Sequence, residues 1–137
     1  MSADRAFIDT NIFIYLYSDN ADDLKKRHLA YKVMEQYDCQ ISTQVINEFS
    51  NICIKKLKIT INQIQGFIIQ MCSYCDLAYI DEDTIDKALG IHAKYGYAYY
   101  DSLMVASALE RGCIYLLSED LADGQVIEGL TIKNIFL

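Results

Sequence analysis

Four carboxylates stand where this sequence could do chemistry: Asp9, Glu48, Asp101 and Asp120. Asp9 closes the apolar run 6–8 ahead of a turn-like Thr10-Asn11, and Glu48 lies early in an amphipathic stretch that opens at Thr43. Asp101 precedes the apolar run SLMVASAL, and Asp120 follows CIYLL within LLSEDL. Several carboxylates drawn into one cleft repel each other and raise each other's pKa unless a cation joins them. Magnesium or manganese supplies such a cation through oxygen ligands in octahedral geometry. Taken singly, each acid has an ordinary reading. Asp9 and Asp101 suit N-caps worth about 1 kcal/mol each, Glu48 suits a solvated helix face, and Ser118-Glu119-Asp120 suits a turn. The joint reading needs a fold that brings the four together.

The elements that must do so are legible as alternating periods. Residues 6–9 read as a short buried strand, followed by a short helix over 12–17. Helical spacing continues over 21–37, and 39–42 reads as a second strand. Residues 43–58 form a third helix with Lys55, Lys56 and Lys58 at its C-terminal end, where cations suit the dipole. Residues 60–75 repeat the helical period, and 77–80 reads as a strand. A helix follows, starting around Asp81 and Asp83 and stopping at Gly96, with another over 100–111. Strands over 113–117 and 130–135 complete the chain. The absence of repeats, low-complexity segments and linkers predicts one domain over 1–137, built from βαβ units. In an open parallel sheet, ligands bind beyond the carboxyl ends of the strands where the strand order reverses. All four acids are expected there.

Composition narrows the function classes. At 137 residues and 53% hydrophobic content, the chain suits a single core. No stretch approaches the roughly 18 apolar residues of a membrane span, and MSADRAFIDT lacks a signal-peptide run, which predicts a cytoplasmic protein with no membrane contact. Twelve basic against nineteen acidic residues give a net charge of -7, the wrong sign for holding nucleic acid by a basic surface. A polyanionic substrate must therefore be met locally, by cations or by short clusters such as Lys25-Lys26-Arg27 and Lys55, Lys56 and Lys58. Either cluster also reads as a solvated helix face.

The motifs carry a family resemblance. FIDTNIFIYL resembles the opening of the PIN domain, in which an aspartate at the end of the first strand is followed by Thr or Ser and Asn. VINEF is similar to its second acidic motif, YYDSLMVASALERG to its third and LLSEDLADG to its fourth, in order from residue 6 to residue 136. Among PIN domains the chain looks closest to VapC-type toxins of toxin–antitoxin pairs. The resemblance implies an α/β fold: a three-layer α/β/α domain with a mainly parallel five-stranded sheet. It also implies a Mg²⁺- or Mn²⁺-dependent endoribonuclease, a homodimer, and a small antitoxin partner whose tail plugs the cleft. Carried over, Asp9, Glu48 and Asp101 are metal ligands and Asp120 is the fourth acid. Thr10 and Asn11 would orient the first ligand, and Ser118 would serve the fourth motif. Glu119 and Asp123 crowd that motif and leave the fourth acid open between three carboxylates. The implied products are a 5′-phosphate and a 3′-hydroxyl, with one or two cations taking part.

Other features point elsewhere more weakly. Cys72 and Cys75 have redox or zinc spacing but lack a second ligand pair and a helix-start context. His28 and His92 sit beside no candidate nucleophile, so a Ser or Cys hydrolase triad has no support. Tyr95, Tyr97, Tyr99 and Tyr100 suit core or interface packing, or the stacking of one ring on an RNA base, and no sequence feature selects which. A phosphatase of the haloacid-dehalogenase kind needs a second aspartate at position 11, where this chain has Asn11. A PIN-like domain that binds RNA or protein without cutting is the non-enzymatic alternative.

Overall fold

Ala6, Phe7 and Ile8 are buried in succession rather than in alternation, as are Leu116 and Leu117. A strand without a polar face must be covered on both sides, the signature of a parallel sheet between helical layers. The computed structural model, which describes residues 3–137, shows this arrangement. Its elements are β1 (Arg5–Ile8), α1 (Thr10–Leu16), α2 (Leu24–Gln36), β2 (Asp38–Ser42), α3 (Thr43–Ile52) and α4 (Ile61–Tyr74). They continue through β3 (Asp76–Ala78), α5 (Glu82–Tyr95), α6 (Tyr99–Glu110), β4 (Tyr115–Leu117), β5 (Val126–Ile127) and β6 (Leu130–Lys133).

The strand order is β3-β2-β1-β4-β6-β5. Every pairing is parallel except β5 with β6. Successive strands step outward from β1 in one direction to β2 and β3, and in the other to β4 and β6. The order therefore reverses between β1 and β4, which opens a crevice beyond their carboxyl ends. The register sets Ile8 beside Leu117, so the residues that follow each strand start from the same edge.

The sheet has six strands rather than the five expected. The extra one, β5, is only two residues long, too short to show a period in sequence. Glu128 and Gly129 join it to β6 with φ of 50° and 90°, the two left-handed residues of a tight hairpin turn. The helix expected over 43–58 is also divided. After Ile52 the chain continues as a π-helical turn, Cys53–Leu57, and closes at Lys58 with φ 52°. α5 starts and stops as its sequence implies: the Asp81 carboxylate accepts from the Thr84 amide, and Gly96 ends the helix at φ 76°.

Candidate metal centre

Asp9 is the residue after β1, and its amide donates to the Leu117 carbonyl at 3.0 Å. That bond ties the ends of β1 and β4 together where the strand order reverses. Asp9 is also the N-cap of α1. Its Oδ1 accepts from the Thr10 amide at 2.6 Å, and its Oδ2 accepts from the Ser118 hydroxyl at 2.7 Å. Ser118 Oγ in turn accepts from the amides of Asp120 and Leu121 at 3.2 and 3.4 Å. A single buried hydroxyl thus fixes both the first carboxylate and the turn that carries Asp120.

The other acids are held by neighbours of Asp9. Thr10 Oγ1 donates to Glu48 Oε2 at 2.9 Å, and Gln44, one helical turn before Glu48, donates to Glu48 Oε1 at 2.8 Å. The same Gln44 amide donates to the Tyr100 carbonyl at 2.9 Å and so joins α3 to the start of α6. Asn11 Nδ2 donates to Asp120 Oδ2 at 3.0 Å. Asp101 sits in the first turn of α6, whose N-cap position is Ala98; Asp101 is therefore not the N-cap. The resemblance implies that Thr10 and Asn11 orient the first acid. Their side chains instead reach the second and the last, and only the Thr10 amide serves Asp9.

Electrostatics record the convergence. Burial pushes the Asp9 carboxyl up to about 6; the hydrogen bonds from Ser118 and Thr10 oppose this, while the charges of Asp120 and Glu48 add to it. Asp101 is also raised, by burial first and then by Asp120 and Glu48. Asp9 and Asp101 thus feel the same two neighbours, which makes the four acids one electrostatic group.

The crowded fourth motif sorts itself by partner. Glu119 accepts from Lys26 Nζ and from the Tyr15 hydroxyl, both at 2.8 Å. Burial pushes its carboxyl up, but these bonds and the Lys26 charge outweigh that and hold it below the usual range. Asp123 Oδ1 accepts from the Asn134 amide at 2.8 Å. Of the three carboxylates, Asp120 is the one whose charge reaches Asp9 and Asp101. Sequence reasoning did not single out Gln44, although its i, i+4 spacing from Glu48 is the signal that would have found it.

Among the described residues, no three His, Cys, Asp or Glu side chains form a group that could hold a metal ion as placed. Glu48 and Asp120 are drawn instead onto Thr10, Gln44 and Asn11. The donor set nonetheless fits a hard cation. All four ligand candidates offer oxygen, and Asp9 lies in a desolvated position where an unneutralised charge is costly. Magnesium is commonly held by one or two carboxylates while keeping several waters, so the acids need not close into a tight cage.

The chain resembles known proteins in two ways. The family model described as PIN domain matches residues 6–122. Solved structures share the fold over nearly all of the chain at low identity. A toxin–antitoxin complex from Klebsiella pneumoniae has a TM-score of 0.70 at 19% identity and covers 95% of this chain and 97% of its own. DNA-bound VapBC from Salmonella typhimurium has a TM-score of 0.67 at 16% identity, covering 98% and 99%. VapC20 of Mycobacterium tuberculosis, described as a Sarcin-Ricin loop cleaving toxin, has a TM-score of 0.66 at 14% identity, covering 84% and 91%. No curated protein sequence matches the chain.

Proposed function

This chain belongs to the PIN domain family, and from that membership we propose that it is a divalent-metal-dependent endoribonuclease, the toxin of a toxin–antitoxin pair. The observation that carries the reading is the cross-brace at the strand-order reversal. Ser118 holds Asp9, Thr10 holds Glu48, and Asn11 holds Asp120, while Asp101 faces the same group from α6.

Asp9, Glu48, Asp101 and Asp120 would hold Mg²⁺ or Mn²⁺. When bound, the cation supplies positive charge to the scissile phosphate and acidifies water at neutral pH. The protein's own part is positional. Thr10, Asn11, Ser118 and Gln44 occupy lone pairs of three acids and so fix how those carboxylates are turned. The buried Asp9 holds its proton up to about pH 6 when no cation is present. Hydrolysis by water in line with the leaving group breaks the P–O3′ bond and leaves a 5′-phosphate and a 3′-hydroxyl.

The partners of this reading are RNA, a second copy of the chain and a small antitoxin. Ile61 and Ile69 of α4 remain exposed, apolar surface of the kind that partner helices cover. An arginine from an antitoxin tail pairs bidentately with carboxylates and would replace the cation. No helix among the described residues is long and apolar enough to cross a membrane, and the proposed site of action is the cytoplasm. The test is incubation of purified protein with labelled RNA in Mn²⁺, with and without chelator. Cleavage that needs the metal supports the reading; RNA bound but never cut in any divalent metal overturns it in favour of a non-catalytic PIN-like domain.

A further inference from the structure

The four tyrosines around Gly96 do not share one environment. Tyr95, Tyr97 and Tyr99 pack partly buried against the core. Tyr100 is 65% exposed, and its ring and that of Tyr99 pack T-shaped with centroids 5.3 Å apart. Tyr100 lines a cavity of about 490 Å³ together with Gln44, Asn47, Glu48 and Asn51, a size within the roughly 300–1,000 Å³ of small-ligand sites. Glu48 belongs both to this cavity and to the acidic group. Resting on the nuclease reading above, we propose that this cavity receives an unpaired RNA base beside the scissile phosphate. Tyr100 stacks on the base, and the amides of Asn47 and Asn51 read its edge.

Three observations support the assignment. Asn47 and Asn51 are exposed and lie one helical turn apart on α3, so their amides share a face. Each amide offers a donor and an acceptor, the pairing that a base edge presents in return. Second, Gln44 is 6% exposed, and its Oε1 is a buried acceptor with no donor. Its amide nitrogen meanwhile bonds both Glu48 and the Tyr100 carbonyl. That link couples the position of the stacking residue to a proposed metal ligand. Third, exposed Lys55 and Lys56 lie in the π-helical turn that directly continues α3 beyond Asn51, a local cluster of cations in a chain of net charge -7. Single-stranded RNA is read by aromatic stacking together with hydrogen bonds to base edges, and the groove offers groups for both.

The experiment has two arms on the full chain. Cleavage of a single-stranded RNA in Mn²⁺ is compared for wild type, Tyr100→Ala, Tyr100→Phe and Asn51→Ala. Binding is read by quenching of a 2-aminopurine placed in turn at each position of the same RNA, with Asp101→Asn added to each protein to suppress cutting. Loss of one stacked base weakens binding by about fivefold to 150-fold. Tyr100→Ala is expected to show that loss at one position flanking the cut and a matching rise in KM, while Tyr100→Phe keeps the quenching. Asn51→Ala is expected to flatten the preference for the base at that position. Unchanged KM and quenching in Tyr100→Ala, with wild type still cutting RNA, overturn the base site and leave the nuclease reading standing. Wild type that neither binds nor cuts removes both. A Tyr100→Ala variant that lowers the mass seen by light scattering, with RNA affinity unchanged, shows that a second copy covers this face and also overturns the proposal.

Discussion

Replacing Asp9 with asparagine should make the metal-free protein more stable at neutral pH and remove that advantage in acid. The Asp9 carboxyl rises from 3.8 to about 6 on folding, so the folded state binds its proton more tightly than the unfolded state. Below pH 3.8 both states carry the proton and Asp9 imposes no ionisation cost. As pH rises from 3.8 to 6 the unfolded chain ionises first, and stability falls with pH. Above 6 the cost levels off at about 3 kcal/mol, taking about 1.4 kcal/mol per pKa unit. The amide of Asp9→Asn never ionises and still caps α1. It has only one acceptor for the two donors, Thr10 N–H and Ser118 O–H, that Asp9 satisfies, a loss of about 1 kcal/mol. The variant should therefore gain about 2 kcal/mol at pH 7.5, or about 6 °C in Tm for a chain of this size. At pH 4 the ionisation cost has shrunk below about 1 kcal/mol, and the missing hydrogen bond leaves the variant level with wild type or slightly below it. Thermal melts of both proteins in chelator, from pH 4 to pH 7.5, read the difference directly. A stability difference that does not change with pH, or a variant less stable than wild type at pH 7.5, refutes the claim that burial and neighbouring charge load Asp9.

Asp101→Asn should lower the rate of RNA cleavage at least about a hundredfold, a barrier increase of about 2.7 kcal/mol, with an unchanged far-ultraviolet circular dichroism spectrum; cleavage within about threefold of wild type contradicts its place in the site. Glu119→Gln should cut RNA within about threefold of wild type, because Lys26 and Tyr15 already occupy Glu119, whereas Asp120→Asn should lose most activity. Equal losses in these two, measured in parallel, would return the fourth acid to an open choice. Magnesium at ten times its dissociation constant should stabilise wild type by about 1.4 kcal/mol through mass action. Asp101→Asn should respond less in the same melts, and an equal response would mean that Asp101 does not share the ion.

How far these features could be read from sequence depended on how many residues carry each signal. The parallel core was legible because Ala6-Phe7-Ile8 and Leu116-Leu117 are apolar without interruption, and because α5 is bracketed by Asp81 and Gly96, whose chemistry acts over a single turn. β5 was not legible, since two residues cannot display a period and the hairpin turn Glu128-Gly129 lacks the common Asn-Gly or Asp-Gly signature. The end of α3 was misplaced for a related reason. Cys53–Leu57 keeps helix-forming residues and cations to its end, so nothing local announces that the hydrogen bonding widens there or that Lys58 turns left-handed.

Asp9, Asp101 and Asp120 drew notice in the sequence because they sit beside element boundaries, and Glu48 because it lies on an amphipathic helix, but Thr10, Asn11 and Ser118 brace other acids than adjacency suggests. Thr10 and Asn11 follow Asp9 directly, and adjacency in the chain suggested that they serve it. Once Asp9 caps α1, however, Thr10 and Asn11 are its first helical residues, and side chains on successive helical residues diverge by about 100°. They cannot both return to the residue before them. Thr10 is turned toward α3 and meets Glu48 at 2.9 Å, and Asn11 is turned toward the loop after β4 and meets Asp120 at 3.0 Å. Ser118 lies two residues before Asp120, yet its hydroxyl proton goes to Asp9 across the pair of strands, while its oxygen takes the amides of its own turn. The first motif therefore supplies one acid of its own and braces for two others, and the last supplies one acid and a brace for Asp9. A substitution at Thr10, Asn11 or Ser118 should accordingly disturb a carboxylate distant in sequence, and the motifs act as one unit although they are spread from residue 9 to residue 120.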